Sequence, residues 1–398
     1  MLLAPSRIPL NVPSYGEEEI AEVLDSLKSG YLTMGKKVRR FEELWAEYIG
    51  VPYAVMTNSG SSANLVALTA LTLMNGGLRP GDEVITPALT WATTVFPIAQ
   101  AGLVPVLVDV DKWTYNISPE AVEAAITPRT KAIMPVHLLG NPCDMDALGA
   151  IADAHSLELI EDCCEAHGAE SQGSRVGSNG LLATFSFFFS HHISTIEGGM
   201  VLTGNGELAE LCRSLRAFGW VREMKNKEAI ATAHPGIDPR FLFAYPGYNF
   251  RPMEYQGAFG IHQVGRLEGY IARRRQNAFY WNRELAQYGE WLALQGERTG
   301  TRHVWFAYPV RVRVEAPFAR AELQNHLESR GIETRPIEAG NMAIQPAMQY
   351  IKHRVGGPLT NAQDIHDHAF FIGNHHGIGE AEREYIAASF HEFMRRYQ

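Results

Sequence analysis

The feature that most limits the fold of this 398-residue chain is an alternation of short apolar runs with segments of helical period between Tyr53 and Glu207. The runs YAVMT, DEVITP, VPVLVDV and KAIMPVH are each followed by a helical pattern, and LELIED ends the series. Such repetition is typical of βαβ units, in which parallel strands form one sheet with helices on both faces. The sequence therefore predicts an α/β fold with a mainly parallel sheet, whose ligands collect at the carboxyl ends of the strands.

The pattern changes in the second half of the chain, which indicates a second unit. An irregular segment rich in Pro and Gly precedes a long helical pattern from Met253 to about Tyr288, and further strand and helix patterns follow it. A chain of this length exceeds the about 250–300 residues that one core supports. We predict a large ligand-binding domain over residues 1–260, and a long connecting helix with a small C-terminal α/β domain over residues 261–398.

The charge of the chain argues against a nucleic-acid partner. The formal net charge is -9, and the basic residues are scattered. Recognition of phosphate backbones needs clustered Lys and Arg. The one run of three, Arg273–Arg275, lies in a polar stretch of helical character, which favours a solvated helix face.

Neither a membrane segment nor a disulfide framework is expected. No window reaches the about 18 apolar residues of a membrane span, and the N-terminus lacks the basic and apolar regions of a signal peptide. The four cysteines include no CxxC pair, which fits a reducing compartment. We expect a cytoplasmic enzyme. No HExxH or comparable metal-ligand pair is present, so a metal-dependent hydrolase is a weaker alternative and no metal site is predicted.

Small residues follow the first predicted strand, in the segment NSGSSAN. Gly60 and Ser61 stand there at a strand-to-helix turn, where free backbone N–H groups and the helix dipole can bind an anion such as a phosphate. Small residues are also common at such turns for steric reasons alone. The segment by itself leaves both explanations open.

Three further residues fall at the ends of predicted strands. Trp91 offers an aromatic plane, Asp162 an acid, and Ser186 a hydroxyl. Each has a structural explanation as well: Trp91 as a core residue, Asp162 as a helix cap, and Ser186 as a sheet residue. Because these groups share one predicted edge with the NSGSSAN turn, we interpret them together as a ligand site.

The ordered motifs NSGSSAN, TPALTW, LIEDCCEAHGA, TFSFFFSHH with EGG, and PGYNFRP resemble a known family. The chain is similar to the nucleotide-sugar aminotransferases of the DegT/DnrJ/StrS type, which use pyridoxal phosphate and have fold type I. The resemblance extends from about Pro13 to Arg251 and includes LTMG near the start. It therefore covers most of the chain.

The resemblance implies a role for each residue at the strand ends. Gly60, Ser61 and Ser186 would hold the phosphate of the cofactor, and Trp91 would pack on its ring. Asp162 would pair with the pyridine nitrogen, which keeps that nitrogen protonated and the ring able to accept electrons.

Other positions are implied to bind cofactor or substrate. Glu165 stands where these enzymes usually have a Gln near the ring oxygen. Asn249 and Arg251, in YNFRP, match a segment that reaches the cofactor of the neighbouring subunit, with Arg251 also contacting substrate. Met34, in LTMG, would contact substrate too. These matches imply a homodimer with shared active sites.

One departure from the family pattern decides the predicted chemistry. The family lysine that bonds covalently to the cofactor falls five residues after Ser186, and this chain has His191 there. The chain has no lysine at all between Lys131 and Lys225. Histidine forms no stable imine, but with a reference pKa of about 6.5 it can take and return a proton. His191 is therefore the predicted catalytic base.

Within the family, this replacement resembles the sugar 3-dehydratases. The resemblance implies a pyridoxamine phosphate/pyridoxal phosphate enzyme that removes the 3-hydroxyl of a nucleotide-linked 4-keto-6-deoxyhexose, GDP-4-keto-6-deoxymannose first, with glutamate as amino donor. A CDP-sugar substrate, an iron–sulfur dehydratase and a non-catalytic binding protein are the alternatives. The neighbouring His192 is expected to face away in an extended segment and to be structural, and His167 has no role that the sequence explains.

Overall fold

A computed structural model describes residues 7–222 and 224–398 of the chain. Its strands are β1 (Tyr53–Thr57), β2 (Glu83–Pro87), β3 (Val104–Val108), β4 (Thr130–Ile133), β5 (Glu158–Asp162), β6 (Glu170–Ser171), β7 (Ser174–Arg175), β8 (Leu182–Ser186), β9 (Gly199–Thr203), β10 (Leu292–Leu294), β11 (Thr301–Arg302), β12 (Ala307–Val312), β13 (Thr334–Pro336), β14 (Arg354–Val355) and β15 (Ala369–Gly373).

The α-helices alternate with these strands in the first half and separate them in the second. They are α1 (Glu17–Ser29), α2 (Lys36–Ile49), α3 (Gly60–Leu73), α4 (Ala92–Gln100), α5 (Pro119–Ala125), α6 (Met145–His155), α7 (Gly206–Leu215), α8 (Lys227–Ala233), α9 (Glu254–Leu285), α10 (Arg320–Ser329), α11 (Thr360–His368) and α12 (Glu380–Met394). Among the described residues, no helix is long and apolar enough to cross a membrane.

An eight-stranded sheet forms the centre of the molecule, in the order β1-β9-β8-β5-β4-β2-β3-β14. The pairs from β8 through β14 are parallel, and β9 runs antiparallel to both of its neighbours. The predicted α/β fold with a mainly parallel sheet, of fold type I, is thus confirmed. Because β1, β2, β5 and β8 point the same way, their carboxyl ends lie along one edge, as expected for the ligand edge of such a sheet.

Burial explains why these segments form strands and helices. The inner strands β2, β3 and β8 are buried at every residue, which is typical of parallel sheets covered on both faces. Helix α3 is buried along nearly its whole length, and its Val66, Ala67 and Leu71 belong to the core beneath the sheet. Because α3 is buried in this core, its position is fixed. The helix begins directly at the ligand edge.

The C-terminal part consists of a four-stranded antiparallel sheet, β10-β12-β15-β13, with its own apolar core. The 32-residue helix α9 leads into it, close to the predicted helix from Met253. Backbone pairings that join it to the rest include β14 with β3 of the large sheet, β11 with β6, and the single pairs Ile8–Ile332 and Leu89–Asn341. The division at residue 260 stays a prediction.

The expectation of a solvated face for Arg273–Arg275 is wrong for the middle residue. Arg274 is 2 % exposed, and its guanidinium donates to the carbonyl oxygens of Phe306, at 2.7 Å, and Asn374. The reason is that this face of α9 packs against the loops of the C-terminal part, which a local polar pattern cannot reveal. Burial without a carboxylate lowers the pKa of Arg274 to about 9.

Candidate active site

A cavity of about 310 Å³ opens at the carboxyl edge of the large sheet. It is lined by the ends of β5 and β8, the starts of α3 and α4, and segments of the C-terminal part. The predicted site residues that meet in it are Gly60, Ser61, Trp91, Asp162, Glu165, Ser186 and His191. The structure therefore brings together residues that are far apart in the sequence.

The start of α3 forms an anion cradle. Ser59 caps the helix, because its Oγ accepts a hydrogen bond from the Ser62 N–H at 3.1 Å. The amides of Gly60 and Ser61 lie in the first turn, where no intrahelical acceptor exists and the helix dipole is positive. Ser186 packs against this turn: a Cβ atom on Gly60 would lie 2.5 Å from the Ser186 Cβ. The geometry fits a phosphate group held by the amides and the Ser186 hydroxyl.

Asp162 is fixed by three donors at the end of β5. Its Oδ2 accepts from Asn64 Nδ2 at 3.1 Å and from Thr94 Oγ1 at 2.9 Å, and its Oδ1 accepts from the Cys164 N–H at 3.2 Å. Thr184 Oγ1 in turn donates to Asn64 Oδ1 at 2.5 Å. This network holds an acid in one orientation at the cavity, as pairing with a protonated ring nitrogen requires.

Trp91 lies at the cavity and not in the core. Its side chain is 45 % exposed at the N-cap of α4, so the structural explanation of this residue as a core aromatic does not apply. The Arg335 guanidinium, from β13, lies 5.7 Å from the Trp91 ring centroid. The indole can therefore stack on a flat ligand.

His191 is in a turn after β8 and faces the same cavity. Its ring packs against Phe306, with centroids 5.3 Å apart, and its Nδ1 is buried with no hydrogen-bond partner among the described residues. Burial, with a smaller effect of Arg274, lowers the pKa of His191 to about 3. The imidazole is therefore neutral at physiological pH and able to accept a proton.

His192 faces away from the cavity, although the segment is a turn and not extended as expected. It is fully buried, and its Nε2 lies 3.1 Å from the Val304 carbonyl oxygen. His167 is also fully buried and packs between the two, with ring centroids 5.6 Å from each. Burial lowers the pKa of both His167 and His192 well below the usual range.

The cavity contains the groups that a pyridoxal phosphate cofactor needs and lacks the usual covalent anchor. The cradle at α3 fits its phosphate, the oriented Asp162 fits its ring nitrogen, and the exposed Trp91 ring fits its ring face. Within residues 7–222 and 224–398, no lysine lines the cavity. Sequence reasoning missed Asn64 and Thr94, although Asn64 ends the motif NSGSSAN and Thr94 comes three residues after Trp91.

Three predicted residues lie outside this cavity in the single chain. Asn249 is exposed, and its Oδ1 accepts from Arg251 Nε at 3.2 Å, while the Arg251 guanidinium lies over the Phe218 ring. Met34 lines a separate polar cleft of about 690 Å³, together with Arg222 and other basic residues. The predicted roles of Asn249 and Arg251 lie at the cavity of a neighbouring subunit, and the predicted contact of Met34 with substrate is not at this cavity in the single chain.

One cluster could support the metal alternative, beneath the cavity. Ligand atoms of His137, Glu161 and Cys163 lie within 4.8 Å of one another. Both imidazole nitrogens are already used, however: Nδ1 accepts from the Cys143 N–H at 3.0 Å, and Nε2 lies 3.2 Å from Glu161 Oε2. Glu161 also accepts three backbone N–H groups of residues 177–180. This arrangement is a satisfied buried network, and it contains one cysteine.

Comparison of this chain with known proteins shows the family to which it belongs. Residues 13–391 match the model of the DegT/DnrJ/EryC1/StrS aminotransferase family. A GDP-4-keto-6-deoxy-D-mannose 3-dehydratase of Yersinia pseudotuberculosis is 41% identical over 372 residues, which cover 92% of this chain and 94% of that protein. A dTDP-4-dehydro-2,6-dideoxy-D-glucose 3-dehydratase of Saccharopolyspora spinosa is 38% identical over 395 residues, 96% of this chain and 85% of that protein.

Solved structures agree with these relatives. A crystal structure of a GDP-4-keto-6-deoxymannose-3-dehydratase with a trapped PLP-glutamate geminal diamine has a TM-score of 0.91 and 36% sequence identity. The match covers 96% of this chain and 99% of that one. The similarity thus extends over both parts of the molecule.

Proposed function

Because this chain belongs to the DegT/DnrJ/EryC1/StrS aminotransferase family, we propose that it is a pyridoxamine phosphate/pyridoxal phosphate-dependent sugar 3-dehydratase. Its substrate is a nucleotide-linked 4-keto-6-deoxyhexose, with GDP-4-keto-6-deoxymannose as the first candidate, and its amino donor is glutamate. The relatives named for a 3-dehydratase activity, and the solved relative that holds PLP and glutamate, support this assignment.

The observation that carries the proposal is the replacement of an anchoring amine by His191. A lysine at this position would bond to the cofactor and favour transfer of nitrogen to the sugar. A neutral imidazole at the cavity wall can only move protons. The site therefore favours loss of a hydroxyl over gain of an amino group.

The cavity residues prepare the cofactor for this reaction. When bound, the cofactor supplies an amine for the keto carbon and a ring that takes up electron density. Gly60, Ser61 and Ser186 would bind the phosphate, and Asp162 would pair with the ring nitrogen and favour its protonated form. Since no covalent bond is available, these noncovalent contacts have to hold the group by themselves.

His191 performs the proton transfers. With the cofactor and sugar bound, it would remove a proton from the carbon beside the cofactor amine, and as an acid it would return a proton to the departing hydroxyl at sugar carbon 3. One base on one face of the cofactor could serve both atoms if both come within hydrogen-bond reach of the same imidazole.

The electrons balance through glutamate. Replacing the C3 hydroxyl with hydrogen reduces the sugar by two electrons and releases water. Glutamate supplies these electrons: it is oxidised to 2-oxoglutarate, and its nitrogen leaves as ammonia. No external reductase is needed.

The experiment that tests the substrate is a panel of GDP-, CDP- and dTDP-linked 4-keto-6-deoxyhexoses incubated with the holoenzyme and glutamate. Product mass identifies the reaction. We expect turnover of GDP-4-keto-6-deoxymannose to a product lighter by one oxygen. Preference for a CDP- or dTDP-sugar would change the assigned nucleotide, and no turnover of any sugar by a cofactor-loaded enzyme would favour the non-catalytic binding protein.

We also propose a homodimer with shared active sites. Exposed apolar side chains support it: Phe189 and Ile196 stand next to residues that line the cavity, and Phe241 and Phe243 lie in the segment before Asn249. In such a dimer Asn249, Arg251 and Met34 act at the cavity of the partner. Mixing the inactive variants His191→Asn and Asn249→Ala should restore part of the activity. Failure of the mixture to recover activity, with mixed dimers present, would contradict shared sites.

The cellular location that fits this activity is the cytoplasm, where nucleotide sugars are substrates of biosynthesis. The four cysteines are free in the structure, as a reducing compartment permits.

A further inference from the structure

A second acid, Glu338, shares the cavity wall with Glu165. Glu165 follows β5, and Glu338 comes from the C-terminal part, in a turn that the Gly340 N–H closes on the Ile337 carbonyl oxygen at 2.8 Å. Ile337 is buried, which anchors the turn. Glu338 has a φ of 43°, a left-handed conformation that is uncommon for a residue other than glycine. The fold maintains this unfavourable backbone while directing a carboxyl group at the cavity.

The two carboxyl groups lie within hydrogen-bonding reach of each other. The groups around the pair are Asp162, whose charge acts on both carboxyl groups, Cys164 near Glu165, and Arg335 near Glu338. Two carboxyl groups at such close range in a cavity cannot both be ionised at little cost, so they share one proton.

The surroundings decide which of the two holds that proton. Glu165 is 8 % exposed, and its Oε2 accepts from the Leu139 N–H at 2.6 Å, which leaves Oε1 for a proton. Glu338 is half-buried, and burial raises its pKa as well. The hydrogen bond with Glu165 and the nearby Arg335 cation oppose that rise and favour the ionised form of Glu338. Burial, and then the nearby Glu338, raise the pKa of Glu165 well above its usual range. Glu165 is therefore the acid, and Glu338 is the carboxylate.

We propose that Glu338 is a positioning residue that keeps Glu165 protonated, so that Glu165 presents an O–H donor to the oxygen atom on the cofactor ring. This inference rests on the proposed function and deepens it. An ionised Glu165 would repel the negative charge on that ring oxygen. A protonated Glu165 instead provides what the amide of a glutamine provides, which explains why an acid is tolerated at a position where the family usually has Gln.

The test is the pH dependence of pyridoxamine phosphate binding, measured by equilibrium dialysis of wild-type protein and of Glu338→Gln and Glu165→Gln. In the wild type, affinity should fall as pH rises through the folded pKa of Glu165, because the donor becomes a repelling charge. Glu338→Gln removes the neighbouring carboxylate, so this midpoint should move to lower pH by about one unit or more. Glu165→Gln keeps a neutral donor, so it should bind the cofactor while losing the transition.

A second readout detects the proton itself. The infrared carbonyl stretch of a protonated carboxyl should be present in the wild-type holoenzyme at neutral pH and absent in Glu165→Gln. As a matched control, Glu197→Gln changes another carboxyl of the same cavity, whose pKa is raised by burial alone, and should leave the midpoint unmoved.

The outcomes separate this inference from the proposed function. Suppose that the wild type binds the cofactor but that Glu338→Gln and Glu165→Gln show the same midpoint in the pH dependence of binding as the wild type. The inference is then wrong and the proposed function stands. The same holds if the carbonyl band persists in Glu165→Gln. If the wild type does not bind the cofactor at all, both are wrong.

Discussion

Replacing Gly60 with alanine should weaken cofactor binding more than it destabilises the fold. The added Cβ would lie 2.5 Å from the Ser186 Cβ and 3.1 Å from its Cα, whereas carbon atoms in contact are normally about 3.5–4.0 Å apart. The turn has little room to retreat, because Gly199 on the adjacent strand already lies against it: a Cβ there would meet the Ser59 carbonyl oxygen at 2.1 Å. The start of α3 and Ser186 must therefore move apart by about 1 Å.

The size of the affinity loss depends on how much of the strain remains in the cofactor-free protein and how much returns on binding. Overpacking of this kind costs about 1–3 kcal/mol. The cofactor-free protein can relieve part of it by letting α3 and Ser186 separate, but the phosphate needs both groups together. Binding therefore restores the strain, and at about 1.4 kcal/mol per factor of ten the affinity should fall about 5- to 150-fold.

The assay is titration of cofactor-free Gly60→Ala with pyridoxal phosphate, followed by fluorescence, with thermal unfolding of the same sample. Gly149→Ala is the matched control, since a Cβ on this residue of α6 would meet no atom within 4 Å. The control should keep wild-type affinity. Wild-type affinity in Gly60→Ala would refute the assignment of this turn as the phosphate cradle.

Three other predictions test the site and its histidines. His191→Asn should bind the cofactor but lose dehydration by about 10²-fold or more, the usual scale for a positioned acid–base group, and near-normal turnover would transfer that role elsewhere. Thr94→Val removes one hydrogen-bond donor from Asp162. Because a hydrogen bond to a charged group is worth about 1.5–3 kcal/mol, kcat/KM should fall about 10-fold or more. An unchanged kcat/KM would show that Asp162 needs no support from Thr94. The lowered pKa values of His167 and His192 predict acid sensitivity, because their folded pKa lies below the unfolded value of about 6.5. The cofactor-free protein should therefore keep its full stability above that pH. Below it, the free energy of unfolding should fall by up to about 1.4 kcal/mol per histidine for each pH unit. Urea unfolding at neutral and mildly acidic pH measures this loss, and a constant free energy of unfolding would contradict it.

The parts of the site that the sequence predicted are those that strand order determines. Asp162 and Ser186 end parallel strands, and Gly60 begins the helix after another strand of the same direction, so the fold class alone brings them to one edge. The absence of lysine was equally visible, because it needs no three-dimensional information.

The parts that could not be predicted depend on packing between distant segments. Asn64 and Thr94 support Asp162 only because α3 and α4 pack side by side at the sheet edge. Glu338 reaches the cavity because the C-terminal part folds back over it. The polar pattern around Arg274 indicated solvent, but the tertiary contacts of α9 buried it. Asn249, Arg251 and Met34 stay predictions, because their tests require the dimer.

The central claim is that His191 makes this family member a dehydratase and not an aminotransferase, and the fate of the donor nitrogen tests it most directly. The holoenzyme is incubated with isotopically labelled glutamate and GDP-4-keto-6-deoxymannose, and the products are analysed by mass. The account predicts one 2-oxoglutarate and one labelled ammonium per sugar, and a sugar product without label that is lighter by one oxygen atom. Label in the sugar would contradict it, and so would turnover that requires an added reductase.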